Sequence, residues 1–149
     1  MLSRWRWLQM PTIRGWHHIS LSVTDLAASE RWFVDVLGLK VLDRLQHEGW
    51  DAVITGDVVT RVVLEAQHHA DNRGERFDPR RTGIDHLAFA AADRAELEEW
   101  QAHFARLGVD FTPIASRDYG EVLTFRHPDG IQFELFVLSA AKAAEAGFD

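Results

Sequence analysis

The sequence predicts an α+β protein built from two βαβββ modules in tandem. Two stretches, GWHHISLS at residues 15–22 and TGIDHLAF at residues 82–89, each place a histidine at the head of an alternating, strand-like run. After each run the same order follows, one helical stripe and then three strand-like segments. The two histidines, His18 and His86, stand 68 residues apart. A chance likeness of two generic stretches is the alternative, but an internal duplication explains the shared order better.

Composition and charge favour a small-molecule partner. The 149 residues are 46% hydrophobic and include six Trp and nine Phe, which is enough for one well-packed core. A formal net charge of −7 and the lack of a Lys/Arg run argue against a nucleic acid or an anionic membrane as partner. The sequence contains neither a signal-peptide pattern nor a membrane-spanning apolar run, so we expect a cytoplasmic protein.

The first module is predicted to span residues 11–67. Apolar residues alternate with polar ones from His18 onward, as in a half-buried strand. Thr24 and Asp25 provide a helix N-cap, and Gly38 stands where a left-handed residue would end that helix. Three strand-like runs follow, near residues 41–45, 50–55 and 60–66.

The second module repeats this plan after a polar linker at residues 68–82. Its first strand begins at His86, and Asp93 with Glu96 fits a variant of the capping box, opening a helix that Gly108 ends. Three strand-like runs follow, near residues 109–115, 121–126 and 131–138. The remaining predicted boundaries are an N-terminal extension at 1–10, the second module at 83–138 and a C-terminal tail at 139–149.

Strand parity places one histidine and one glutamate of each module on the face away from its helix. Neighbouring strand residues point to opposite faces, so His18 and Glu65 share the helix-free face of the first module. By the same rule His86 and Glu134 share that of the second. Because the chain has no cysteine, a metal must be held by such side chains, which suit Zn, Ni, Co, Mn or Fe(II). The alternative is an exposed Glu65 and a Glu134 that forms a salt bridge with a nearby arginine.

Three stretches resemble the vicinal oxygen chelate superfamily, the glyoxalase, bleomycin resistance protein and extradiol dioxygenase family. They are HHISLSVTDLAASERWFVDVLGLKV, IDHLAFAAADRAELEEW and HPDGIQFELF, and the likeness extends over residues 15–138. The resemblance implies that the two modules curl their sheets into a cup around a divalent metal. The implied metal ligands are His18, Glu65, His86 and Glu134. His18 is chosen over His17 because the family histidine directly precedes the alternating run.

The resemblance also implies a chemistry. A full His/Glu/His/Glu set is similar to that of the bacterial type of glyoxalase I. It implies a divalent-metal-dependent lyase or isomerase that acts on a small α-oxygenated carbonyl compound through a metal-stabilised enediolate. Glu134 or Glu65 would be the catalytic base. The residues predicted to contact the substrate are Ser20, Arg61, Trp50, Phe136 and Tyr119. Proteins of this superfamily commonly pair, so we expect a homodimer.

Two other functions stay open at this point. A non-catalytic protein that sequesters an antibiotic or a metabolite would stack planar ligands on an aromatic wall. The candidates for such a wall are Trp16, Trp32, Trp50 and Phe136. A ring-cleaving dioxygenase would need Fe(II) and an acid or base beside the substrate, for which Tyr119 is the candidate.

The remaining histidines are predicted to lie at the surface. His68 and His69 fall in the linker, without the HExxH spacing of a zinc protease. His47, His103 and His127 are interpreted as surface residues of a loop, a helix face and a turn. That turn, HPDG, has Pro and Gly where a type I turn prefers them, which predicts a hairpin between the last two strands.

Overall fold

A computed structural model describes residues 11–147 and contains two four-stranded sheets, one in each module. The first module comprises β1 (Ile19–Ser22), α1 (Leu26–Asp35), β2 (Lys40–His47), β3 (Trp50–Gly56) and β4 (Val63–His69). The second comprises β5 (His86–Ala90), α2 (Arg94–Leu107), β6 (Phe111–Arg117), β7 (Gly120–Arg126) and β8 (Gln132–Leu138). A third helix, α3 (Ala140–Ala146), follows. The predicted pair of βαβββ modules is confirmed, while the predicted extension at residues 1–10 lies outside the described residues.

Both sheets have the same strand order. The first strand of each module pairs in parallel with the last, giving β1-β4-β3-β2 and β5-β8-β7-β6. A parallel pair needs a long crossover, and the helix and the two intervening strands provide it. The other pairings are antiparallel, including the β7–β8 hairpin predicted from HPDG. Consequently β1 and β5 are edge strands, and each sheet is complete within its own module.

The predicted helix caps are present. Asp25 accepts a hydrogen bond from the Ala28 amide at 2.9 Å, and Asp93 accepts one from the Glu96 amide at the same distance. Gly108 ends α2 in the left-handed conformation, with a φ of 68°. The two aspartates accept hydrogen bonds from amides that the first turn of each helix leaves without partners. The left-handed glycine lets the chain leave α2.

The two modules share one core and meet through the faces that their helices cover. Trp32 of α1 lies across Phe125 and Phe133 of the second sheet, with ring centroids 5.9 and 5.2 Å apart. The same face of the second sheet packs under α2, where Phe104 stacks on Phe125 at 4.5 Å. The main buried side chains are Leu21, Val23, Trp32, Phe33, Val53, Leu64, Leu97, Phe104, Leu123, Phe125, Phe133 and Leu135.

A polar junction at the β7–β8 turn joins the modules beside this core. His127 Nδ1 accepts the Asp129 amide at 3.1 Å, so the proton lies on Nε2, which donates to Ser29 Oγ at 3.0 Å. The Asp129 carboxylate in turn accepts hydrogen bonds from the amide and hydroxyl of Thr24. The prediction that His127 lies at the surface is therefore wrong, because its side chain is 2% exposed. Burial lowers the pKa of His127 from 6.5 to about 4.

Three further histidine predictions are corrected. The last strand of the first module runs from Val63 to His69, later than the predicted 60–66, so His68 and His69 lie in β4 and are half-buried. His68 Nδ1 lies 3.0 Å from the Val23 carbonyl oxygen. His103 is half-buried as well, with Nε2 3.0 Å from the Val36 carbonyl oxygen of the other module. Within residues 11–147, no helix is long and apolar enough to span a membrane.

Candidate functional site

The second module places His86 and Glu134 side by side on its helix-free face. In the parallel pairing of β5 with β8, His86 aligns with Gln132 and Ala88 with Glu134. His86 and Ala88 are two residues apart and therefore point to the same face. His86 Nε2 lies 3.5 Å from Glu134 Oε2. Thr124, opposite Glu134 on β7, has its hydroxyl 3.5 Å from Glu134 Oε1.

The first module repeats this arrangement with His18 and Glu65. Ser20 of β1 aligns with Glu65 of β4, and His18 stands two residues before Ser20 on the same face. His18 Nε2 lies 3.7 Å from Glu65 Oε2. Both glutamates are more enclosed than their histidines, since the Glu65 and Glu134 side chains are 12% and 21% exposed. The duplication is thus preserved in the pairing of the side chains as well as in the strand order.

The residue before each histidine gives the two pairs different electrostatic surroundings. Asp85 Oδ1 lies 2.7 Å from His86 Nδ1. The hydrogen bond to Asp85 raises the pKa of His86, the charge of Glu134 raises it further, and partial burial opposes both. In the first module His17 takes the place of Asp85, and its Nδ1 lies 2.9 Å from His18 Nδ1.

Each pair has the atoms and the spacing that suit a bound cation. An ionised Asp85 accepts hydrogen bonds only, so the neutral His86 ring carries its proton on Nδ1 and directs the lone pair of Nε2 toward the Glu134 carboxylate. Two electron-rich atoms that face each other need either a second ring proton, as in the imidazolium form that the raised pKa of His86 favours, or a metal cation between them. Neighbouring ligand atoms bound at 2.0–2.2 Å lie about 2.8–3.1 Å apart around an octahedral metal and about 3.3–3.6 Å apart around a tetrahedral one. The observed 3.5 Å lies within the tetrahedral range, and 3.7 Å is just above it.

The two pairs do not form a single centre within one chain. Among residues 11–147, no group of three or more His, Asp and Glu side chains is close enough to hold one metal ion. His18 and His86 do border one cavity of about 710 Å³ at the β1 and β5 edges, but neither glutamate lines it. The structure therefore brings together His18 with Glu65 and His86 with Glu134, and leaves the pairs apart.

The predicted substrate contacts of the first module lie along the Glu65 face or beside the cavity that His18 borders. Ser20 lies on the same face as Glu65, in the adjacent strand. Arg61 precedes β4, has a φ of 59° and borders the same cavity as the two histidines. Trp50 opens β3 opposite His69, farther along the Glu65 face, and stacks on His47 with a centroid distance of 4.2 Å.

The predicted contacts of the second module lie along the Glu134 face. Phe136 follows Glu134 by two residues in β8. Tyr119, in the turn between β6 and β7, stacks on the Phe136 ring with a centroid distance of 6.0 Å. Trp16 is 88% exposed and borders the 710 Å³ cavity. The prediction that Trp32 belongs to a ligand wall is wrong, because this side chain is buried in the core between the modules.

Sequence reasoning weighed His17 only as a ligand against His18, and missed the contacts that Asp85 and His17 make with the candidate histidines, as well as two polar residues on the Glu65 face. Gln67 and His69 extend the Glu65 face of β4, with Gln67 Nε2 3.1 Å from His69 Nε2. Strand parity contained the signal for these two residues, since both are an even number of positions from Glu65. For Asp85 and His17 the signal was their common place directly before a predicted ligand.

Comparisons with known proteins agree with this fold. Residues 15–135 match the Glyoxalase/Bleomycin resistance protein/Dioxygenase superfamily. The chain is 28% identical over 129 residues to "Putative ring-cleaving dioxygenase MhqA" of Bacillus subtilis (strain 168), covering 83% of this chain but only 40% of that protein.

Two solved structures are similar to the whole fold. The glyoxylase/bleomycin resistance protein/dioxygenase domain from Frankia sp. EAN1pec has a TM-score of 0.80 at 28% identity, covering 86% of this chain and all of that one. A variant of the fosfomycin resistance protein FosX from Listeria monocytogenes has a TM-score of 0.67 at 20% identity, covering 91% of this chain and 99% of its own. On the match over residues 15–135, the chain belongs to the Glyoxalase/Bleomycin resistance protein/Dioxygenase superfamily.

Proposed function

We propose that this protein is a divalent-metal-dependent lyase or isomerase that acts on a small α-oxygenated carbonyl compound. The observation that carries the proposal is the repeated pair of a histidine Nε2 and a carboxylate oxygen, 3.7 Å apart in one module and 3.5 Å in the other, on helix-free faces. Such an N/O set suits Zn, Ni, Co, Mn or Fe(II). His18, Glu65, His86 and Glu134 would hold the ion.

The carboxylates have a second role in this proposal. A bound divalent ion would supply stabilisation of the negative charge of an enediolate. Glu134 or Glu65 would take the proton from the carbon beside the substrate carbonyl, because each is partly enclosed and lies on the face that the substrate reaches. Enclosure by Ser20, Trp50 and Phe136 would hold the small substrate and exclude bulk water.

We infer that two chains complete the site as a homodimer. The modules of one chain meet through their helix-covered faces, so each His/Glu pair lies on the face away from that contact. Within residues 11–147, the edge strands β1 and β5 each pair with only one other strand. Setting the first module of one chain against the second module of its partner would bring four ligands together and cover both edges. The cytoplasmic location expected from the sequence stays a prediction.

The first test is the metal content of the protein purified without an affinity tag or chelator. Near-stoichiometric metal, measured by plasma mass spectrometry and lost in Glu134→Ala, supports the proposal. Glu99→Ala is the matched control, since Glu99 is an exposed carboxylate of α2. Mn(II) belongs among the metals offered, because the FosX variant of similar fold is described as a complex with Mn(II) and a dihydroxypropylphosphonic acid. Wild-type protein that takes up none of the five metals contradicts the proposal and favours a non-catalytic binding protein.

The second test concerns turnover. We expect Glu134→Gln to lower it by at least about 100-fold on any 2-oxoaldehyde adduct or acyl thioester that the wild type converts, because an amide is not a base. Circular dichroism should show an unchanged fold. A Glu134→Gln protein that remains active would show that the base is elsewhere, and Glu65→Gln would then be the variant to measure.

The likeness to MhqA favours one alternative, a ring-cleaving dioxygenase. The match reaches 28% identity, but this chain spans only 40% of that protein. The relative's activity is therefore a hypothesis for this chain. Tyr119, stacked beside Phe136 on the Glu134 face, would be the acid or base next to an aromatic ring. Oxygen consumption with catechols or hydroquinones, dependent on Fe(II) and lost in Tyr119→Phe, would favour this alternative over the lyase or isomerase.

A further inference from the structure

The residue directly before each candidate ligand is where the two halves of the site differ most. Asp85 precedes His86, and His17 precedes His18, at matching positions of the duplication. Both neighbours contact Nδ1 of the ligand histidine, at 2.7 Å for Asp85 and 2.9 Å for His17. Each thus touches the ring nitrogen that faces away from the glutamate, and it decides where the proton of that ring lies.

Asp85 allows only one arrangement of His86. An ionised carboxylate accepts hydrogen bonds and donates none, so His86 must donate from Nδ1. The lone pair then lies on Nε2, the nitrogen 3.5 Å from Glu134 Oε2. A neutral imidazole held in this form by a carboxylate is oriented and made more basic for a metal. His86 is therefore prepared for a metal before any metal binds.

His17 allows two arrangements of His18. An imidazole nitrogen donates or accepts according to its tautomer, so the proton of the 2.9 Å contact belongs to either ring. If His17 donates, His18 carries its own proton on Nε2 and uses it toward Glu65, 3.7 Å away. That form has no lone pair to offer a metal. Only the reverse arrangement of the two rings leaves Nε2 of His18 free.

We propose that Asp85 is a positioning residue that makes His86 and Glu134 the stronger half of the metal site, and that His17 leaves His18 and Glu65 the weaker half. This inference rests on the proposed function, since it concerns the affinity of the proposed metal site. The fixed half captures the ion, and the half with two tautomers completes the coordination afterwards. Asp85 does not touch the substrate in this proposal, and it acts only through His86.

The experiment exchanges the two neighbours and reads the tautomers without metal. Long-range ¹H–¹⁵N spectra at about pH 8, above the ordinary histidine pKa, report which ring nitrogen carries the proton. We expect His86 to be protonated on Nδ1 in the wild type, to be a mixture in Asp85→Asn, whose amide both accepts and donates, and to be protonated mainly on Nε2 in Asp85→Ala. We expect His18 to be a mixture in the wild type and to shift to the Nδ1–H form in His17→Asp.

Zn(II) and Mn(II) titrations of the same proteins supply the second readout. We expect Asp85→Ala to weaken binding about 10–100-fold, as loss of a ligand's carboxylate partner usually does. Asp85→Asn should bind more tightly than Asp85→Ala, although both have lost the same charge, so their difference isolates the hydrogen bond. His17→Asp should bind more tightly than the wild type, a gain that misfolding does not imitate.

The proposal and the proposed function fail in different ways. If Asp85→Ala keeps the Nδ1–H form of His86, or binds metal as tightly as the wild type, the positioning role is overturned while the metal site stands. If the wild type binds neither ion, the proposed function falls and the unequal affinities fall with it. In that case the spectra still decide whether Asp85 fixes the His86 ring.

Discussion

The two modules of this chain have the same strand order but different walls beside their His/Glu pairs. Beyond Glu65, the helix-free face of β4 continues with Gln67 and His69. At the matching places beyond Glu134, β8 has Phe136 and Leu138. The duplication has kept the ligand positions and varied what surrounds them, so one wall is polar and the other apolar. A substrate held between them would turn its polar side to the first module and its apolar side to the second.

The modules also differ at the junction between them. Four residues after each helix cap, α1 has the buried Ser29 and α2 has the buried Leu97. Ser29 accepts a hydrogen bond from His127, which lies in the β7–β8 turn. The corresponding turn of the first module leaves Val58 and Val59 exposed, and a cavity of about 450 Å³ lies between this loop and α2. The junction is thus tight on one side of the pseudo-symmetry and open on the other.

The largest expected effect distinguishes a site shared between chains from one within a chain. His18→Ala inactivates the first module and His86→Ala inactivates the second, so neither protein alone should bind metal at a four-ligand site. Co-expressed chains that pair at random should regain about a quarter of the sites, because half of the dimers are mixed and each mixed dimer has one intact site. Metal content and turnover of the mixture measure this. Mixtures no better than the separate variants would place the whole site within one chain.

The next effect separates the two tryptophans that stand seven residues after the helix caps. Trp32 is buried against the second sheet, whereas Trp100 is half-buried beside the 450 Å³ cavity. We expect Trp32→Ala to lower the free energy of unfolding by about 3–5 kcal/mol, because it leaves a cavity in the core. Trp100→Ala should cost about 1–2 kcal/mol, since less apolar area leaves water at that site. Urea unfolding measures both, and equal losses would mean that the junction is not the tighter region.

His127 should make the stability of the junction depend on pH. Its pKa of about 4 in the folded protein lies below the ordinary 6.5, so the unfolded chain binds the proton more readily. The stabilisation is complete above pH 6.5 and is lost as the pH falls toward 4, by about 3 kcal/mol in all. His86, whose pKa is raised, acts in the opposite sense, because its contribution is present below pH 6.5 and is lost as the pH rises through that raised pKa. In His127→Phe, the free energy of unfolding measured in urea should fall less between pH 6.5 and 4 than in the wild type. An equal fall in both proteins would contradict the lowered pKa of His127.

The smallest effect compares the two helix caps. Asp25→Ala and Asp93→Ala each remove one hydrogen bond to a backbone amide and should each cost about 1 kcal/mol. Thermal unfolding of the two variants checks this. If Asp25→Ala costs much more than Asp93→Ala, α1 has the larger part in joining the modules, since Thr24 beside its cap also holds Asp129.

The strand pattern was sufficient to predict the fold and the two His/Glu pairings, because parity along a strand is a local property. It was insufficient for His127, whose partner Ser29 is 98 residues away and belongs to the other module. Nothing local distinguishes Trp32 from Trp100, since both stand in the apolar stripe of their helices. Which stripe faces the other module is decided by packing alone. For the same reason the sequence did not decide whether the four candidate ligands meet within one chain.

The confinement of every strand pairing to one module has a consequence for how the chain is made. The first module has all four of its strands once His69 has left the ribosome, before any of β5 to β8 has emerged from it. N-terminal units of this kind fold first during synthesis. His18 and Glu65 would then be paired before His86 and Glu134 have emerged from the ribosome. In the proposed homodimer, the exposed β1 edge of the nascent module would stay uncovered until a partner chain is complete.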